Sequence, residues 1–144
     1  MNKPFASACA AGLVWMSVSA LAHHGDSGRY EETLTTVTGI VAELQLVNPH
    51  SMLVLDVTEN GKVVKWRGEL GSAQAMRRWC WTKELIKAGD KMTMTGRRLK
   101  NGAPFMTLSE SARVYDANGK ELFRGNDPGK PPGGGEPASC AKAQ

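Results

Sequence analysis

The sequence predicts an all-β fold with one short helix, arranged as an OB-like five-stranded Greek-key barrel. Three observations lead there. The first strand-like stretch, residues 34–46, is long, rich in Thr, Val, Ile and Leu, and interrupted by Gly39. A Gly inside a long strand marks a bulge or bend, and a bent first strand is what barrel closure needs. Second, Asn60-Gly61 separates two strand-like stretches and readily takes the positive φ angles of a type I′ hairpin turn. Third, the single helix signal falls after the third strand and before the fourth, which is the order of the OB-fold. The alternative is a small open antiparallel sheet with one helix on it.

The elements follow in order. Residues 34–46 form the bent first strand. In 51–58, Leu53, Leu55 and Val57 share one face. Residues 63–69 are the return strand and carry Trp66 toward the core. Ser72 is the expected N-cap of a short helix with Ala73, Met76 and either Trp79 or Cys80 on its inner face. Residues 85–90 make a turn ending in Gly89-Asp90. Residues 92–98 and 104–115 are two further strands, joined through Asn101-Gly102. Residues 116–120 turn into a last short strand at 121–123.

With 144 residues, 41% apolar and 22% charged, the chain is long enough for one domain and too short for two. That composition excludes a transmembrane transporter, a coiled coil, a multidomain enzyme and a fully disordered chain. Eighteen Lys and Arg against 14 Asp and Glu give +4. The excess is mild and lacks the dense basic stripe of a nucleic-acid binder.

The start of the chain reads as an export signal. Lys3 is the only charged side chain before Asp26, and an apolar stretch follows it into Ala20-Leu21-Ala22. A short cationic start, a short apolar centre and A-x-A make a secretory signal peptide over residues 1–22. The apolar run is shorter than the roughly 20 residues that span a bilayer, so no membrane span is expected. Cleavage after Ala22 leaves a chain that begins His23-His24-Gly25, in the periplasm or outside the cell. Residues 23–29 form a polar N-terminal arm, 30–124 the β domain, and 125–144 a tail. Nine of those last 20 residues are Gly or Pro, which cannot bury enough apolar surface to offset the ordering entropy. Cys80 and Cys140 survive cleavage. In an oxidising compartment they form either one intramolecular disulfide or a pair of free or intermolecular thiols.

Several pieces together resemble a family of small secreted bacterial proteins classed as a domain of unknown function. They are Ala22-His23-His24 at the cleavage point, Val37-x-Gly39-x-Val41, Asn48-Pro49-His50, Trp66-x-x-Glu69-x-Gly71-Ser72, Gly89-Asp90-Lys91 and Thr95-Gly96-Arg97. The resemblance implies an exported, mostly β protein and supplies no activity. The Cys80 and Cys140 pair and the Gly/Pro tail depart from the family pattern.

No catalytic constellation is readable. A Gly-x-Ser-x-Gly elbow, a phosphate loop, a dinucleotide fingerprint and His-Glu-x-x-His are all missing from the sequence. The histidines carry the most chemistry. A free α-amino group beside the His23 imidazole chelates Cu(II), and the imidazole of His24 or His50 completes a three-nitrogen set. The competing reading leaves His23-His24 as a polar terminus and His50 as a turn residue bonded to the backbone. Pro49 fixes φ and restrains Asn48, so Asn48-Pro49-His50 is expected to be a rigid corner between the first two strands, with the Asn48 side chain capping the turn. Met92 and Met94 lie on one side of a strand; they read as core packing before they read as soft Cu(I) ligands. Arg77, Arg78, Arg97, Arg98 and Lys100, with Trp79 and Trp81, read as a solvated face with core tryptophans and not as a nucleic-acid groove. The function that emerges is an exported binding module with copper as the preferred ligand. The alternatives are a structural or protein-interaction module of the envelope, or a carbohydrate or anion binder.

Overall fold

A computed structural model describes residues 28–125. The expected signal segment 1–22, together with His23, His24 and Cys140, lies outside the described residues. Seven strands and one helix run in the order β1 (Thr35–Gln45), β2 (Met52–Glu59), β3 (Lys62–Glu69), α1 (Ala73–Arg78), β4 (Lys91–Arg98), β5 (Phe105–Thr107), β6 (Arg113–Asp116) and β7 (Glu121–Arg124). The sheet order β1-β2-β3-β5-β4-β6-β7, with a further β1–β4 pairing, closes five of the strands into a ring. The β3–β5 seam is parallel and all other pairings are antiparallel. This is the OB-like barrel, with its helix between β3 and β4.

Closure depends on β1 serving two partners. Its first half, Thr35 to Ile40, pairs with β4, and its second half, Ile40 to Gln45, pairs with β2, with a register shift between Val41 and Glu43. Gly39 sits where the strand changes allegiance. A Cβ there would lie 2.5 Å from the Asp56 carbonyl oxygen and 2.8 Å from Val57 Cγ2, so the β1 backbone approaches β2 as closely as it does because the position is Gly. The β2–β3 hairpin turns on Asn60 and Gly61, with φ of 50° and 77°, as the type I′ turn requires.

The inner face carries Val37, Val41, Leu44, Leu53, Leu55, Val57, Trp66, Met92, Met94 and Met106, all buried. Met92 and Met94 are therefore core, and no thioether pair faces a ligand there. One end of the barrel is plugged by the segment after β3: Leu70, Met76, Trp81 and Ile86 are all buried. Ser72 caps α1, accepting from the Ala75 N–H at 3.2 Å. At the other end Tyr30 bridges to Leu99. There the Trp66 N–H donates to Glu59 at 2.6 Å, and the Arg98 guanidinium lies over the Trp66 ring, 5.5 Å from its centroid.

One expected element is corrected. Residues 104–115 are not a single strand but β5 and β6 separated by 108–112. Between the pairs Arg97↔Thr107 and Thr95↔Arg113, β4 spends one residue, Gly96, while its partner spends five. The looped-out residues are anchored: the Leu108 N–H donates to the Glu69 carbonyl at 2.7 Å, and Leu108 and Ala112 are buried. Ser111 takes the break with φ of 59°. The first segment is claimed by β3 and the second by the β6–β7 hairpin.

In that hairpin Arg113 and Arg124 stand directly opposite each other, which is unfavourable for like charges. Glu121 lies between them, at 2.8 and 3.0 Å from Arg124 and 3.5 Å from Arg113 Nε. Hydrogen bonding from the Arg124 guanidinium holds the Glu121 carboxyl below its ordinary value of 4.5. A depressed carboxylate stabilises the fold above its unfolded pKa and loses that contribution as pH falls through the folded value. Glu121→Gln should therefore cost about 0.5–1 kcal/mol at neutral pH, the magnitude of a partly exposed pair. It should also flatten the decline of stability below the ordinary carboxylate range. Denaturant melts across pH 3 to 7 check this; equal acid limbs in both proteins would refute it.

Candidate functional site

The corner between β1 and β2 is built by bonds to the start of α1. Ser51 is fully buried; its N–H donates to the Gly71 carbonyl at 2.9 Å, and its carbonyl accepts from the Leu70 N–H at 2.9 Å. The Ala73 N–H donates to the Val47 carbonyl at 3.1 Å and to Asn48 Oδ1 at 3.2 Å. The Asn48 side chain therefore caps the helix start and not its own turn, as the sequence had suggested. The Asn48–Pro49 bond is cis. Two stretches that looked separate, Asn48-Pro49-His50 and Glu69-x-Gly71-Ser72, form one clamped structure.

His50 projects from this clamp. Its Nδ1 lies 3.1 Å from Glu69 Oε1, with the imidazole side chain 57% exposed and the carboxylate 28% exposed. The expected backbone bond of His50 is thus replaced by a carboxylate partner. Glu69 closes β3 and stands opposite Met52 on β2 and Thr107 on β5, so its backbone is held from both sides. A carboxylate accepts, so a hydrogen bond across this contact places the proton on Nδ1 and favours the tautomer with its lone pair at Nε2. Histidines that bind metals are commonly oriented in this way. Among the described residues no group of three or more His, Cys, Asp or Glu could hold a metal ion. His50 and Glu69 alone do not make such a group.

The remaining candidates are dispersed. Cys80, half-buried just past α1, is disulfide-bonded, and its partner lies outside the described residues. Trp81 is fully buried and Trp79 packs edge-on against Phe123. Arg77 and Arg78 close α1, whereas Arg97 and Arg98 close β4, and the aromatic partner of Arg98 is Trp66. Among the described residues these side chains form no interleaved basic and aromatic groove. Among the described residues no helix is long and apolar enough to cross a membrane. Glu69 is the member of this candidate site that reading the sequence missed. It stood in a recognised stretch, but nothing local says that the end of β3 meets the first corner.

Neither curated proteins nor solved structures give a match to the chain. A family model does match, over residues 10–107, a span that ends with the last residue of β5 and so takes in all five barrel strands. The chain belongs to the family of unknown function DUF6152.

Proposed function

We propose that the protein is an exported binding module that takes up one Cu(II) through the His23 α-amino group and imidazole, with His50 Nε2, or the His24 imidazole, as a further nitrogen donor. Export follows from cleavage of residues 1–22 after Ala22, which frees the amine and places the product in the periplasm or outside the cell. The observation that carries the reading is the His50–Glu69 contact of 3.1 Å, which favours an outward Nε2 lone pair on a rigid corner. Amine and imidazole nitrogens are strong Cu(II) ligands.

The chain length permits the arrangement. Arg97, Thr107 and Glu69 stand side by side, and Tyr30 bridges to Leu99 two residues past Arg97. Strand spacing of ~4.8 Å and ~3.3 Å per residue put Tyr30 within about 20 Å of Glu69. The steps from His23 to Tyr30 reach up to ~24 Å.

Titration calorimetry with a competing chelator, and electron paramagnetic resonance to count nitrogens, test the site on protein whose intact mass begins at His23. One residue added before His23 should abolish the amine chelate. Glu69→Gln should weaken binding by about 10–100-fold, as for other supports of metal-bound His. Equal affinity of the extended chain would move the site elsewhere. Binding no stronger than that of a free His dipeptide would leave the corner as a structural clamp.

A further inference from the structure

A second concave surface lies away from the His50 corner, on the outside of β1, β4 and β6. Three residues cross the strands in one row: Thr38 opposite Thr93, and Thr93 opposite Tyr115. Lys91 and Asp116 flank the row, and Met92 lies beneath it. These residues, with the turn after β6, line an open concavity of about 420 Å³, within the size range of small-molecule sites.

The lining is chemically specific. The Thr38 and Thr93 hydroxyls are bonded to each other at 2.7 Å. Only one proton lies between them, so the pair keeps a second O–H to donate and lone pairs to accept. Asp116 is fixed by its own turn: Oδ1 accepts from the Asn118 N–H at 2.8 Å and the Lys120 N–H at 3.0 Å. Its Oδ2 takes part in none of the hydrogen bonds among the described residues. Lys91 makes no ion pair among the described residues and supplies an ammonium donor. Tyr115 adds an aromatic ring, with its phenol 3.5 Å from Glu121. One ammonium and one carboxylate leave the lining without net charge, which disfavours a phosphate or sulfate as the ligand.

We infer that this concavity binds an uncharged pyranose unit of a glycan. Vicinal sugar hydroxyls both donate and accept. A carboxylate oxygen, an ammonium and a hydroxyl pair meet those demands together, and the flat C–H face of a pyranose suits the Tyr115 ring. The Thr38–Thr93 pair is held by its mutual bond and Asp116 by its turn, so the ordering cost on binding falls on the exposed Lys91 side chain. The inference is independent of copper: it uses none of the His23, His24 or His50 donors. Tyr115 and Asp116 lie past residue 107, where the family match ends.

Two-dimensional amide NMR of the mature chain tests it, with methyl glucoside, methyl galactoside and N-acetylglucosamine as probes, and with glucuronate and inorganic phosphate as anionic probes. Addition of a neutral sugar in the tens of millimolar should shift the amides of Thr38, Lys91, Thr93 and residues 115–119. The anions should shift them less. Tyr115→Leu should weaken the sugar response roughly tenfold, and Asp116→Asn should weaken it while leaving the rest of the spectrum in place. Three results would overturn the inference: no shifts with any neutral sugar, shifts centred elsewhere, or a phosphate response equal to the sugar response. If Tyr115→Leu fails to fold, Lys91→Gln replaces it, with the same expected weakening.

Discussion

Replacing Trp66 with Ala should cost about 3–5 kcal/mol, the range for emptying a buried aromatic site, and should prevent the protein from accumulating. Trp66 is 4% exposed and faces Leu55 across the β2–β3 pair. The loss has two further parts. Its N–H, bonded to Glu59 at 2.6 Å, disappears, and Arg98 loses the ring beneath its guanidinium. The guanidinium keeps its bond to the Gly102 carbonyl at 3.0 Å and its approach to Glu31 at 3.9 Å, so what it loses is the ring contact over the already unbonded Nε. Trp66→Phe separates these effects. It keeps most of the volume and removes the N–H, so it should lose only about 1 kcal/mol. Urea denaturation of both variants is the measurement, and a wild-type curve for Trp66→Ala would contradict the barrel core.

Trp81→Ala should match that loss, about 3–5 kcal/mol, by a different route. Trp81 is fully buried just past α1, and its N–H donates to the Leu122 carbonyl at 3.0 Å. Its ring meets Phe123 edge-on at 5.9 Å. It therefore joins the plug of the barrel to β7, which otherwise pairs only with β6. Hydrogen exchange should show the β6–β7 amides losing more protection than those of β1 and β2. Uniform loss across the sheet would mean that the tryptophan serves the core alone.

The parts of the fold legible in the sequence were those fixed by local chemistry. Gly39 announced the bend, Asn60-Gly61 the hairpin and Ser72 the helix start, and each lies where backbone conformation has few alternatives. The break at 108–112 was not legible. Its flanks, Phe105-Met106-Thr107 and Arg113-Val114-Tyr115, share one β-like composition, and only the separate claims of β3 and β7 pull them apart. The site followed the same division. His50 was visible as a residue type. Its partner Glu69 is 19 positions away and meets it only because Ser51 and Asn48 tie the first corner to the start of α1. The second concavity was hidden for a similar reason, since it needs β1, β4 and β6 to be neighbours.

The parallel seam between β3 and β5 covers only Arg67 to Glu69. On that side residues 62–66 have no partner strand among the described residues, and because the Arg67 N–H points to that side, the backbone N–H and C=O groups of Val63 and Lys65 line a notch in the barrel wall. Such an edge invites a strand from another molecule, the first step toward edge-to-edge aggregation. Val63, 67% exposed, would add an apolar incentive. Lys62 and Lys65 occupy the same short edge, with the Lys65 ammonium paired to Asp56 at 2.7 Å, and an incoming strand would have to strip water from these charged groups. Charged edge residues of this kind discourage pairing, so the gap in the ring is guarded by the cost of burying Lys62 and the Lys65–Asp56 pair.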